Sequence, residues 1–164
     1  MNRRSLGAIT LLFFVITLAV SATVEENESQ LHASMTEINE SALFGVWNLT
    51  EMKLVNTTPL IDLTNANITI NITEQGSISG NSGCNRYFGS YNLTDANISN
   101  GSGITISSVG STMMYCDKNM ETEQAFLKIL EAVNSYKVEE KSLLLADDIG
   151  NTLSFMKSQE SENS

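Results

Sequence analysis

The chain has 164 residues, 41% of them hydrophobic, and a formal net charge of −10. That length fits one domain, that hydrophobic share excludes full disorder, and an acidic surface that repels phosphate argues against a nucleic-acid binder. Two cysteines are too few for a disulfide-framework mini-protein.

The first segment, Met1–Ala22, sets Arg3 and Arg4 ahead of an apolar run, Leu6–Val20, that ends in Val20-Ser21-Ala22. Positive n-region, apolar h-region and small-residue exit form the pattern of an export signal. The run falls short of the roughly 20 apolar residues that span a bilayer comfortably, so cleavage is expected, with an uncleaved anchor as the alternative. Cleavage after Ala22 leaves 142 residues with 7 Lys+Arg and 19 Asp+Glu, a net charge near −12. No cysteine near the exit offers a lipid attachment point. Residues 23–40 hold Glu25, Glu26, Glu28, Glu37 and Glu40 with few large apolar residues, which predicts an acidic, solvated spacer. The alternative there is a short helix in Gln30–Ile38. The tail, Ser158–Ser164, reads like the spacer.

Between spacer and tail, residues 41–157 are expected to form the folded domain, mostly from short strands. Leu43–Val55 puts Trp47 and Leu49 on one face, Asn48 and Thr50 on the other. Asn67–Thr73 alternates isoleucine with Asn and Thr, which predicts a half-buried strand. Ser77–Gly80 follows a Glu74-Gln75-Gly76 turn. Cys84–Leu93 alternates Tyr87, Gly89, Tyr91 and Leu93 against Phe88, Ser90 and Asn92. Gly103–Ser107 carries Ile104 and Ile106. The period then changes: Phe126, Ile129, Leu130 and Val133 make the stripe of an amphipathic helix over Asn119–Asn134. Asn119 or Lys118 is its expected start, with Glu121 and Glu123 in its first turn. Strands Tyr136–Glu140, Ser142–Ala146 and Thr152–Met156 close the domain, with a turn at Asp147–Asn151 between the last two. The expected fold is mainly β (α+β): a small, barrel-like curled antiparallel sheet with one amphipathic helix packed against it.

Nine Asn-x-Ser/Thr sequons occur, at Asn27, Asn39, Asn48, Asn56, Asn67, Asn71, Asn92, Asn97 and Asn100, among 17 Asn and 35 Ser+Thr. Random placement gives roughly four. The excess agrees with an exported, possible glycoprotein; the bland alternative is a preference for Asn and Thr as polar strand residues.

One stretch is specific. Gly80-Asn81-Ser82-Gly83-Cys84-Asn85-Arg86-Tyr87-Phe88-Gly89-Ser90-Tyr91 resembles the G-x-x-GCN-x-Y-x-G-x-Y signature of the META domain, the HslJ-like family. Gly45-Val46-Trp47-Asn48-Leu49 resembles its opening G-x-W-x-L. Thr112-Met113-Met114-Tyr115-Cys116 resembles its T-x-M-x-C segment, and Glu123, Phe126 and Leu130 fall in its E-x-x-F-x-x-x-L helix. Tyr136 to Phe155 resembles its closing strands. The resemblance implies a small mainly β domain with one helix, export or envelope attachment in many members, and links to stress response, drug tolerance and parasite virulence. It sharpens the fold and leaves the activity open. The chain departs from lipoprotein members in lacking the anchor cysteine.

Physically, Gly80, Gly83 and Gly89 in strand-like sequence mark a positive φ, a bulge or a close backbone approach. Trp47, Tyr87 and Tyr91 are sized for a barrel interior. Asn85 and Arg86, just past the bend, form a possible binding rim; the alternative is that the Asn85 amide ties two loops together. In an oxidising compartment Cys84 and Cys116 are expected to form a disulfide, against free buried thiols or a reactive thiol. A metal site lacks ligands, because His32 lies in the spacer. A cysteine nucleophile lacks a histidine base in the folded region. Asp147-Asp148 and Glu139-Glu140 read as solvated turns, and Met113 and Met114 beside Tyr115 as core filler.

No catalytic residue, metal or cofactor is expected. The functional expectation is an exported, non-catalytic accessory or binding factor of the envelope or cell surface. Its partner would be an unknown envelope or extracellular protein, or a small ligand. Membrane contact would come only through an uncleaved leader. An inhibitor of secreted proteases, inserting the Cys84–Phe88 bend, is the alternative; a thiol-dependent enzyme is a more remote one. A filled barrel interior would point to surface contacts, and an open one to a bound small molecule.

Overall fold

Eight strands and one 13-residue helix form within residues 40–55, 61–98 and 101–159, the residues described in the computed structural model, side chains of 95–98 excepted. The chain divides into two units, Met1–Glu40 and Ser41–Ser164, and all that follows concerns the second. In chain order the elements are β1 (Gly45–Lys53), β2 (Thr69–Ile72), β3 (Ser77–Asn81), β4 (Arg86–Ile98), β5 (Gly101–Ser111), α1 (Met120–Ala132), β6 (Ser135–Glu139), β7 (Ser142–Ala146) and β8 (Thr152–Lys157). The predicted helix at Gln30–Ile38 and Pro59 lie outside the described residues.

Each strand pairs antiparallel with the next, and β8 returns to β1, so the sheet closes into an eight-stranded barrel. The alternation expected from sequence sets the inward faces. Ile70 and Ile72, Tyr87 and Tyr91, Ile104 and Ile106, Leu143 and Leu145, and Leu153 and Phe155 are all buried. In β1 the alternation breaks. A bulge between Leu49 and Glu51 shifts the register against β8, so Trp47 and Met52, not residues of one parity, point inward. Strand β5 is longer than the expected Gly103–Ser107 because its outer half pairs with the long β4, through a second bulge at Phe88/Ser90. Its other edge meets β6 only at Ser102 and Gly103.

The helix buries the whole expected stripe, Phe126, Ile129, Leu130 and Val133, although Val133 itself is the cap residue. It contacts β5 and β8. Those strands are not neighbours in the wall, so a helix touching both lies across a barrel mouth rather than along the outside. The Phe126 ring meets inward-facing Tyr87 edge-on, centroids 5.4 Å apart, a favoured aromatic geometry. The mouth is therefore stoppered and the interior filled with side chains.

Polar tips inside are satisfied. Trp47 Nε1 donates to the Leu43 carbonyl at 2.9 Å, Tyr87 Oη to Thr69 O at 3.0 Å and Tyr91 Oη to Thr73 O at 2.7 Å. Burial pushes the Tyr87 phenol far above its ordinary pKa, so it stays a neutral donor. Gly80 makes room for this arrangement: a Cβ there would collide with the Thr69 carbonyl and press on the Tyr87 ring. Gly80→Ala is expected to cost about 2–3 kcal/mol through this overpacking. Urea denaturation read at Trp47 checks it; an unchanged midpoint would contradict the close approach.

Candidate functional site

The polar residues converge at the bend between β3 and β4. Asn81 Oδ1 accepts the Gly83 N–H at 2.8 Å, and Gly83 takes φ +108°, which turns the chain sharply. The Ser82 N–H closes the bend on the Asn85 carbonyl at 2.8 Å. Strand β4 begins only at Arg86, so Cys84 and Asn85 belong to the bend, not to the strand that sequence alternation extends to Cys84.

Asn85 does not form a binding rim. It is 2% exposed, and its amide is fully used. Nδ2 donates to Glu123 Oε1 at 2.8 Å and to the Met114 carbonyl at 3.1 Å. Oδ1 accepts from the Met114 N–H at 2.7 Å and from Thr112 Oγ1 at 2.8 Å. Two donors and two lone pairs exhaust an asparagine amide, so nothing is left for a ligand. Arg86 is exposed, and its backbone pairs with Thr112 across the end of the β4–β5 ladder.

Glu123, which the sequence reading places in the first helical turn and in the family's helix motif, is the hub of the bend. It is 5% exposed and reaches from α1 into the bend. Its Oε2 accepts from Ser82 Oγ and the Asn85 N–H, both at 2.7 Å, and from the Cys84 N–H at 3.3 Å. The single Ser82 hydroxyl proton goes to the carboxylate, the stronger acceptor, rather than to the Asn85 carbonyl also within reach. Burial alone would raise the Glu123 pKa; the bonds from Ser82, Asn85 and Cys84 outweigh it and hold the carboxyl below its ordinary value of 4.5. Asn119 adds a strut. Its side chain makes no cap bond to the helix. Instead Nδ2 donates to the Gly83 and Asn65 carbonyls at 3.0 and 3.1 Å.

The disulfide expected between Cys84 and Cys116 is formed, with Cα atoms 6.0 Å apart. It ties the bend to the segment between β5 and α1. That segment corrects the sequence reading: Met113, Met114 and Tyr115 are not core but 98%, 65% and 80% exposed. The interior they were expected to fill is already occupied by β-strand and helix side chains. Phe88, on the outer face of β4, is exposed as well and packs its ring over Gly110. The Cys84–Phe88 bend does not protrude, since Asn85 and Tyr87 are buried.

Other predicted positions fall elsewhere. Gly45, with φ +119°, opens β1; Leu49 is half-buried on it. Of the sequons, Asn48, Asn67 and Asn92 are exposed and Asn71 is half-buried in the β2 ladder. Asn27, Asn39, Asn56 and Asn100 lie outside the described residues, as does the Asn97 side chain. Asp147 accepts from the Ile149 and Asn151 N–H groups and from Asn151 Nδ2, an ordinary turn. Asn134 donates to Asp148. A shallow cleft lined by Phe44, Val46, Asn71, Lys141 and Lys157 opens on the surface. The Lys157 ammonium is engaged there, 3.0 Å from the Ala42 carbonyl and 4.9 Å from the Trp47 ring centroid.

The META domain family model matches residues 41–160. The chain is similar to a protein from Burkholderia xenovorans solved by NMR, at 30% identity and TM-score 0.57, covering 71% of this chain and 83% of that one. A second NMR structure matches at 22% identity and TM-score 0.50 over 71% of this chain and 92% of that one, a likeness of fold alone. A DUF4847-family protein from Bacteroides vulgatus matches at 13% identity and TM-score 0.48, over 71% and 94% of the two chains. No curated protein matches in sequence.

Proposed function

The chain belongs to the META domain family, and on that premise we propose that it is an exported, non-catalytic binding factor of the envelope or cell surface, acting through its exterior on a protein partner. The observation that carries this reading is the rigid display of Met113, Met114 and Tyr115 in water. Apolar side chains exposed side by side on a braced segment are the usual mark of an interaction site. The side-chain-packed interior favours contacts on the outside over a ligand held in the barrel. The Cys84–Cys116 disulfide supports a non-catalytic reading over a thiol-dependent one, which needs a free sulfur. Export draws support from the leader pattern, the sequon excess and the disulfide, a bond of oxidising compartments.

A photo-crosslinking residue placed at Met113 in cells producing the full-length chain tests the reading. A discrete adduct is expected from that position and none from the exposed Glu140, in the β6–β7 turn. Equal labelling from both positions, or none from either, would remove the Met113–Tyr115 surface from the proposal.

A further inference from the structure

The backbone of the exposed segment is arranged as unevenly as its side chains. In an extended chain the N–H and C=O of one residue point to the same edge, and those of its neighbours to the other. Here Thr112 bonds the Arg86 carbonyl, and Met114 uses both its N–H and its C=O on the Asn85 amide. Residues 112 and 114 thus face the scaffold. Met113 and Tyr115 make no hydrogen bond among the described residues, which leaves their N–H and C=O groups free to pair beside their exposed side chains. The far end is fixed by the Cys116 disulfide, and Asn85 in turn is held by buried Glu123.

We propose that Met113-Met114-Tyr115 is a substrate-like inhibitory loop for a secreted serine endoprotease whose specificity pocket takes an aromatic side chain. An endoprotease cleft receives its substrate as an added extended strand, pairing with alternate residues on the acyl side of the scissile bond. Met113 and Tyr115 are the alternate residues left unpaired. Tyr115 then enters the specificity pocket and the Tyr115–Cys116 bond lies at the catalytic serine. Hydrolysis of that bond would consume one water and leave a Tyr115 carboxylate and a Cys116 amine. Asn85 holds the chain on one side of the cut and the disulfide holds it on the other. The new ends cannot diffuse apart, and the reverse condensation, which returns the water, keeps the enzyme occupied. This inference rests on the surface reading above but names its partner and its chemistry.

The test uses the full-length oxidised chain with chymotrypsin and trypsin as probes. Stoichiometric inhibition of chymotrypsin is expected, weakened at least ~100-fold in Tyr115→Gly, as for loss of a central aromatic anchor. Tyr115→Lys should transfer inhibition to trypsin. Tyr115 is exposed, so both variants should keep the wild-type near-ultraviolet spectrum. Unaffected chymotrypsin, rapid cutting after Tyr115 without inhibition, or inhibition that survives Tyr115→Gly would each overturn the proposal. A Met113 crosslink formed in cells by a chain that leaves chymotrypsin unaffected would retain the surface reading and discard the protease.

Discussion

Glu123→Leu is expected to destabilise the domain by about 3–5 kcal/mol, since several buried donors are left unsatisfied at about 1–3 kcal/mol each. The loss is not that of a salt bridge. Every bond to the carboxylate comes from a neutral donor: the Ser82 hydroxyl, the Asn85 amide and the Cys84 and Asn85 N–H groups. Leucine would leave these donors facing hydrocarbon. The start of α1 contributes the positive end of the helix dipole to the same carboxylate. Glu123→Gln separates shape from charge. The Asn85 amide cannot turn over to meet a glutamine NH2, because its Oδ1 is committed to Thr112 and Met114. A donor would therefore face a donor, for a loss of about 2 kcal/mol.

The pH dependence follows with a definite sign. The folded-state pKa of Glu123 lies below the ordinary 4.5. Its contribution is fully present above that value and disappears as the pH falls through the depressed folded one. Wild-type stability should drop on acidification below about pH 4.5, and the drop should be shallower in Glu123→Gln. Urea midpoints across pH 2.5–7 measure both. Parallel wild-type and variant curves would mean that the carboxylate is not the group the bend depends on.

Much of the barrel was legible because strand alternation reports one thing well, which side of a local surface is wet. Ile68 to Ile72, Tyr87 with Tyr91, and the final hairpin were read correctly for that reason. Alternation is blind to an inserted residue, so the β1 bulge and the inward turn of Met52 were not visible. The three glycines illustrate the same limit. Sequence reading offered positive φ, bulge or close approach, and Gly83, Gly89 and Gly80 realise one each. The site was less legible. Hydrophobicity placed Met113 and Met114 indoors because it ranks residues without asking whether a core has room. Glu123 left a usable signal: it sits three and seven residues before Phe126 and Leu130, a charge on the buried stripe. A charge there has to find partners. Which partners depends on long-range closure, and no local pattern encodes the meeting of α1 with the Ser82–Asn85 bend.

The second large effect is expected from the disulfide. Replacing both cysteines by serine should lower stability by about 3–4 kcal/mol, the chain-entropy value for a loop of this size, here closed across 32 residues. The origin of the loss can be located. Asn85 already bonds Thr112 and both backbone groups of Met114, so the folded segment retains its place when the sulfurs are parted. The cost then falls on the unfolded chain, which is freed to expand. Two signatures distinguish this from damage to the fold. The urea m-value should rise, because a less constrained unfolded state exposes more surface, and the near-ultraviolet spectrum of the folded variant should match the wild type. An unchanged m-value with an altered spectrum would place the effect in the native state instead. The two restraints also act on one segment, so they should not be independent. With the disulfide intact, Asn85→Ala leaves Met114 anchored through Cys116; in the combined variant both restraints on Met113–Tyr115 are lost and only the Thr112–Arg86 pairing remains. The double-mutant cycle should therefore show a coupling of about 1 kcal/mol or more, within the range for contacts sharing a network. Limited proteolysis at Met113–Tyr115 should accelerate far more in the combined variant than either single change predicts. Simple additivity would mean that the loop owes its shape to one restraint alone.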